Sequence, residues 1–356
     1  MHLSLMRLWP ALAFLLLSAA ASSQKMTALQ KPPAQEPPGR VPSAPQTTIR
    51  TTVPLVIVPV SIADDKGNPI DGLSEDDFLV LDDGKPRKVR VDASDAIIAP
   101  LSLVIVIQTS DISQPALLKI RPVGAIIAEA VAGANGEVAV IGYNDQVTVL
   151  HKFTRDADQV TDTFEALKPG GDTGGKMIDA IAKAADLLEQ RPSEKRPLSR
   201  RTAIFVIGES KDRGSEANLA DVINRTQKLS TTIYGLSYSA YATAFTTKGS
   251  DYEPPNRGFD PLMAITEVAR LAKRNTMEAL VTATGGQRIS FETKHKLEND
   301  LFALSKEIHS RYYVSFTPSE SEEPVFHRLQ ITIRNRPAAV VHARPGYWTG
   351  LENNQQ

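Results

Sequence analysis

The chain of 356 residues contains no cysteine. That excludes disulfides, thiolate zinc sites, thiol nucleophiles and a lipidated cysteine behind a leader. Neither sign of charge is in excess: 40 basic and 41 acidic side chains leave a net charge of −1. Such a balance favours neither nucleic acid nor an anionic membrane as partner. Several enzyme signatures are also missing. The six histidines include no His-Glu-x-x-His pair. There is no Gly-x-Ser-x-Gly elbow and no phosphate loop ending in Gly-Lys-Ser/Thr. The turn "QTSDISQP" carries no glycine, so a dinucleotide fingerprint is absent too. Long apolar runs are absent after the first 21 residues. What is present is 42% hydrophobic residues, enough for a packed core.

The N-terminus reads as an export signal. Arg7 gives a short basic region, "LWPALAFLLLSAAA" an apolar stretch, and Ala19 and Ala21 a small-residue cleavage motif. Residues 1–21 are therefore expected to be a signal peptide; the run is short of the about 20 apolar residues of a spanning helix. An uncleaved anchor is the alternative. Removal predicts a secreted or periplasmic protein with no stable membrane insertion. Residues 22–50, centred on "KPPAQEPPGRVPSAP", read as a disordered Pro-rich linker.

Residues 51–94 read as a small β unit. "VPLVIVPVSI" is a strand and "FLVLDDGKPRKVRV" a hairpin about Asp83-Gly84. In "LSEDDF", Ser74 is placed to cap a helical turn with Asp76 and Asp77 in it. These acids lack the ligand spacing of an EF-hand.

Residues 95–317 alternate strand and helix. "LSLVIVI", "EVAVIGYN", "VTVLHKF", "TAIFVIGES" and "TTIYGLSY" read as strands. Helices are expected at 115–131, 156–167, 177–190, 216–229, 262–284 and 297–310. The pattern implies an α/β fold, a doubly wound mostly parallel sheet covered on both faces. Residues 318–349 read as a C-terminal β segment packing on the N-terminal β unit, and 350–356 as a disordered tail.

Three polar clusters end elements of the α/β part: Gln108-Thr109-Ser110-Asp111, Gly170-Gly171-Asp172-Thr173, and Gly208-Glu209-Ser210-Lys211-Asp212. In an open α/β sheet such ends converge on one crevice. Here the sequence resembles the von Willebrand factor type A domains. Their metal-ion-dependent adhesion site runs Asp-x-Ser-x-Ser after the first strand, a Thr in a Gly-rich loop, and an Asp after the fourth strand. The flanks "GLSEDDFLVLDDGKP" and "HARPGYW" resemble a bacterial group of exported von Willebrand factor A-related proteins of the kind frequent in acidobacteria. The resemblance spans about Val53 to Trp348 and implies a Rossmann-like type A domain that binds protein through this crevice.

Transferred residue by residue, the motif places Gln108 at the first Asp, Ser110 and Ile112 at the two serines, Thr173 at the Thr, and Glu209 at the last Asp. Magnesium prefers octahedral oxygen ligands and usually one or two carboxylates. Gln108 removes a negative charge, Ile112 offers no oxygen, and Glu209 has the reach for calcium. Asp111 and Asp172 are possible compensating acids. Two readings therefore stand for the site residues Gln108, Ser110, Asp111, Asp172, Thr173 and Glu209. One is a degenerate, metal-free site; the other holds a divalent cation, Mg or Ca. Lys176 or Lys211 is placed to occupy the cation position by pairing with Glu209 or Asp172, or else is simply solvated.

Thr109 and Asp212 flank the crevice. The polar insertion after Tyr238 carries Tyr241, Phe245 and Tyr252 without a core pattern. Structureless loops beyond about 12–15 residues are often functional, and tyrosine is favoured at interfaces. These five residues are expected to contact a partner. "GGDTGGK" reads as a flexible turn, the loop 191–201 as a solvated basic linker, and His151 as a surface residue. The expected function is a non-catalytic, exported protein-binding module. The alternatives are metal-dependent adhesion through the same face, and an envelope assembly scaffold. The sequence leaves the oligomeric state open.

Overall fold

A computed structural model describes residues 55–92, 100–133, 135–171, 174–191, 201–238, 275–290, 294–318 and 325–349. The signal peptide, the linker, the tail, the loop 192–200, Asp172, Thr173, Tyr241, Phe245 and Tyr252 lie outside the described residues.

The α/β part is built on β5 (Leu101–Gln108), LSLVIVIQ, whose eight residues are all buried. A strand of branched apolar residues buried on both faces belongs in the middle of a parallel sheet. β5 pairs in parallel with β6 (Glu137–Tyr143) and with β8 (Arg201–Gly208). β9 (Thr232–Ser237) and β10 (Arg288–Ser290) continue the parallel array beyond β8. β7 (Val147–Thr154) closes the other edge antiparallel to β6. The order is β10-β9-β8-β5-β6-β7. The chain thus winds outward from β5 on one side, then crosses back to β8 and winds outward on the other. β5 and β8 flank the switch point, where open α/β sheets form their crevice.

Successive β5 side chains feed two cores. Leu101, Leu103, Ile105 and Ile107 pack on one face against the helical run 111–131 (α1), α2 (Ala157–Glu165) and α6 (Lys294–His309). Val104 and Val106 pack on the other against α3 (Met177–Glu189), α4 (Leu219–Lys228) and α5 (Thr276–Thr284). Fully burying each such side chain stabilises the fold by about 1.5–3 kcal/mol.

Three expected helices differ in detail. α1 is a composite of 3-10, α and π turns rather than one regular helix. Pro122 lacks the N–H of a continuous ladder, and the 3-10 turn Arg121–Val123 falls there. α4 starts at Leu219, because the Asn218 side chain accepts from the Ala220 and Asp221 N–H groups. The expected helix 262–284 is interrupted at Asn275, the extended N-cap of α5 (Thr276–Thr284), and its part before 275 lies outside the described residues. α5 ends where Gly285 takes a left-handed conformation, φ 72°.

The remaining strands form two four-stranded antiparallel sheets. One runs β13-β1-β11-β4 and the other β14-β12-β2-β3. Their N-terminal members are β1 (Val56–Ala63), β2 (Phe78–Asp82), β3 (Lys85–Arg87) and β4 (Arg90–Asp92). Their C-terminal members are β11 (Tyr312–Phe316), β12 (Val325–Ile333), β13 (Val340–His342) and β14 (Gly346–Thr349). β1 lies between β11 and β13, so its hydrogen bonds come from the far end of the chain. Strand β11 therefore belongs with these sheets, and the α/β part ends with α6 rather than at 317. Val58, Val60, Phe78, Val80, Val314 and Ile331 fill the core they share. The β2–β3 turn has positive φ at both Asp83 (50°) and Gly84 (77°). That is the two-residue hairpin geometry that Asp-Gly favours. Ser74 donates its N–H and hydroxyl to the Asp77 carboxylate, at 2.7 and 2.9 Å.

Among the described residues, no helix is long and apolar enough to cross a membrane.

Candidate functional site

Gln108 ends β5 at the switch point and is only 2% exposed. Its Oε1 accepts from the backbone N–H of Glu209 at 2.8 Å, and its Nε2 donates to Ser110 Oγ at 2.9 Å. Ser110 Oγ lies 3.2 Å from Ser113 Oγ. One amide thus joins the loop after β5 to the loop after β8. A third segment meets them: Gly175 exchanges two backbone hydrogen bonds with Arg213 and lies against Gln108. Ser110, Glu209 and the loop that follows Thr173 therefore share one rim.

Asp111 is exposed at the first position of α1. Thr109 donates its N–H to Tyr143 O at 2.8 Å, and its carbonyl accepts from Gly170 N–H at 2.9 Å. Asp212 is committed to local structure. Its Oδ1 accepts from the Ile178 N–H in the first turn of α3, at 3.0 Å, and from Ser215 Oγ at 2.6 Å. Lys176 pairs with Glu216 at 3.3 Å, not with Glu209. The cation beside Glu209 is Arg213, with Nη2 3.2 Å from Oε2. Lys176 stands at the start of α3, where Glu216 and Asp179 are its partners, whereas Arg213 shares a loop with Glu209. Since the Arg213 side chain is 39% exposed, the pair holds the rim only modestly.

Sequence reading missed three further contributors: Tyr143, Arg213 and Tyr238. Tyr143 and Tyr238 are buried beneath the rim. Burial is the main cause that pushes both phenols well above their ordinary range, so they stay protonated. Gly208 admits Tyr143, since a Cβ there would lie 2.1 Å from the phenol oxygen. The only sequence signal was the "GES" corner itself, because these contacts join segments far apart in the chain.

Among the described residues of the rim, the donors do not suit magnesium or calcium; Asp172 and Thr173 lie outside the described residues. A backbone N–H only donates, so the Gln108 oxygen must face Glu209 and its NH2 must face Ser110. A donor N–H therefore points where the family motif supplies a carboxylate oxygen. Ser110 is already engaged, and Glu209 already faces a guanidinium. Millimolar Mg²⁺ or Ca²⁺ is accordingly expected to leave the melting temperature unchanged to within about 1 °C, since only a bound ion stabilises by mass action. A rise of several degrees in a thermal-shift titration would contradict this.

Beside the rim, Thr109 opens onto a cleft of about 590 Å³ between β7 and α2, lined also by Leu150, His151, Asp162, Thr163 and Lys168. His151 Nδ1 is satisfied locally, 2.6 Å from Lys152 O.

No protein-family model matches the sequence, and no curated protein matches it. Among solved structures, the fold is similar to the von Willebrand factor domain of the type V pilus tip protein Mfa5 from Porphyromonas gingivalis. There the identity is 17% and the TM-score 0.27, over 32% of this chain and 39% of that one, so this chain spans less than half of that structure. An aerotolerance-related membrane protein from Bacteroides fragilis shares 15% identity, with a TM-score of 0.41 over 58% of this chain and 98% of that one. A von Willebrand factor type A protein from Catenulispora acidiphila shares 11%, with a TM-score of 0.41 over 84% and 74%. These are likenesses of fold, at a level that transfers no function. The doubly wound topology rests on the strand order and register described above.

Proposed function

We propose that the chain is an exported, non-catalytic protein-binding module of the von Willebrand factor type A kind, and that it engages its partner at the carboxyl-edge rim without a metal ion. The observation that supports this best is the Gln108 amide. It spans the rim with two hydrogen bonds and fixes both loops in advance. A pre-organised polar surface needs no bridging ion and loses little freedom on binding. Exposed Asp111, Asp145 and Lys211 surround it with charges of both signs, which set specificity and on-rate more than affinity. Ser110 has an amide and a hydroxyl for neighbours rather than a base, which suits binding better than acyl transfer. β9 ends at Ser237, on the same edge, and the segment carrying Tyr241, Phe245 and Tyr252 follows from there as part of the proposed contact. Export rests on the N-terminal sequence pattern.

Capture from an envelope extract tests the reading. The Asp111→Lys, Lys211→Glu double variant changes exposed residues only and should fold as the wild type does. It is expected to lose the proteins that the wild type recovers, while a Lys183→Glu control on α3 keeps them. Wild-type recovery should be the same in EDTA as in magnesium. Equal recovery by the double variant would remove the rim as the contact surface. Recovery only in magnesium would restore metal-dependent adhesion.

A further inference from the structure

A second group of chemically active side chains lies away from the rim, in the sheet β14-β12-β2-β3. Asp82 ends β2, Asp83 forms the hairpin turn, and His327 stands on the adjacent strand β12. His327 Nδ1 is 2.8 Å from Asp83 Oδ2 and 3.8 Å from Asp82 Oδ1. All three donor atoms lie within 4.8 Å of one another. Asp82 is 1% exposed. Its Oδ2 takes Arg87 at 2.7 Å and the Tyr347 hydroxyl at 3.1 Å. Its Oδ1 is buried and has no hydrogen-bond partner.

That orphan oxygen needs an explanation, since a buried acceptor left unmade costs about 1–3 kcal/mol. A proton on His327 Nδ1 does not supply one: it serves Asp83, and 3.8 Å to Asp82 is too long for a hydrogen bond. A cation in place of that proton would satisfy all three atoms together. Metal–ligand bonds of about 2.0–2.2 Å put neighbouring ligand atoms about 3.0–3.5 Å apart. The two observed separations bracket that range. One imidazole and two carboxylates suit a divalent transition metal rather than magnesium. The surroundings match those of a metal-binding histidine. Thr349 Oγ1 lies 2.8 Å from Nε2, where it can accept that N–H and leave the Nδ1 lone pair turned inward. The Tyr347 ring stacks on the imidazole at 5.0 Å and holds its plane. The Asp83 side chain is 45% exposed, which gives an entry path and room for water to complete the shell.

We propose that Asp82, Asp83 and His327 form a zinc site that pins the β2–β3 hairpin to β12. The site is independent of the rim and of any partner bound there. Zinc is the probe. The full chain is stripped with chelator and titrated with Zn²⁺ by calorimetry. One equivalent should bind, and Asp83→Asn and His327→Gln should each weaken it at least tenfold. Asn tolerates the left-handed backbone of position 83 and keeps an oxygen for the Arg328 N–H, so Asp83→Asn should retain the fold even if His327→Gln does not. Glu209→Gln should bind zinc as the wild type does. No zinc uptake by the wild type, wild-type affinity in folded Asp83→Asn, or loss in Glu209→Gln would each overturn the assignment.

Discussion

Replacing Arg311 with Met is expected to lower the melting temperature by about 10 °C or more. Arg311 is 4% exposed and stands just ahead of β11, where the sandwich strands meet the α/β layers. Its Nε donates to Ser61 Oγ of β1 at 2.7 Å. Nη1 donates to Thr232 Oγ1 of β9. Nη2 donates to Gly285 O, at the end of α5, at 2.7 Å, and to Glu307 Oε1 of α6 at 3.0 Å. The guanidinium lies 5.2 Å from the Tyr234 ring centre. A planar fork of donors can serve these acceptors together, and no other side chain can. Methionine would fill much of the space but leave Glu307 without its guanidinium partner and Gly285 O unpaired. Removing one member of a buried pair costs about 3–5 kcal/mol, mostly through the partner left behind. Glu307→Gln should cost less, because its amide oxygen still accepts from Arg311. Thermal unfolding followed by circular dichroism checks both. A shift below about 2 °C for Arg311→Met would mean that water replaces the guanidinium and that the joint does not depend on it.

The second large effect is expected at the rim. Gln108→Leu keeps the volume and removes both hydrogen bonds. The Glu209 N–H, buried 101 residues away in the chain, loses its acceptor. Ser110 keeps only Ser113. Unsatisfied buried groups of this kind cost about 1–3 kcal/mol each, so a total of about 2–4 kcal/mol is expected in chemical denaturation. Partner capture should fall as well, because the two loops are no longer tied. Gln108→Glu separates the two consequences. It keeps an oxygen for the Glu209 N–H but sets a carboxylate oxygen against Ser110. That variant should respond to added magnesium where the wild type does not. An unchanged midpoint for Gln108→Leu would show that the amide is only the polar end of a buried strand.

Much of the fold was legible because it is written in local periodicity. The unbroken apolar run of β5 could only be a doubly buried strand, and Asp83-Gly84 could only favour a tight turn. The helices were located by amphipathic spacing, and some of their ends with them: Met177 opens α3 and Gly285 closes α5. Asn218 and Asn275 reset two starts, since a cap depends on one backbone angle that periodicity does not encode.

At the site, the sequence identified the corners but not their wiring. Gln108, Ser110 and Glu209 stood out as polar residues at strand ends. The direction of the Gln108 amide follows from which backbone group it meets, and that group lies on another strand. Arg213 went unnoticed because an arginine in a loop looks solvated until the loop is folded back. Asp82 and His327 gave no motif at all: 244 residues separate His327 from its nearest carboxylate, Asp83.

The sequence alone determined the layers: a buried parallel sheet, helices to cover it, and β segments at both ends. Hydrophobic burial is non-directional, so pattern suffices to specify it. The tertiary structure alone decided which polar groups face one another, and hence that a glutamine amide occupies the rim and that a buried carboxylate oxygen waits beside His327. Hydrogen bonds and coordination are directional and short. Their partners are set only when distant segments are brought within about 3 Å.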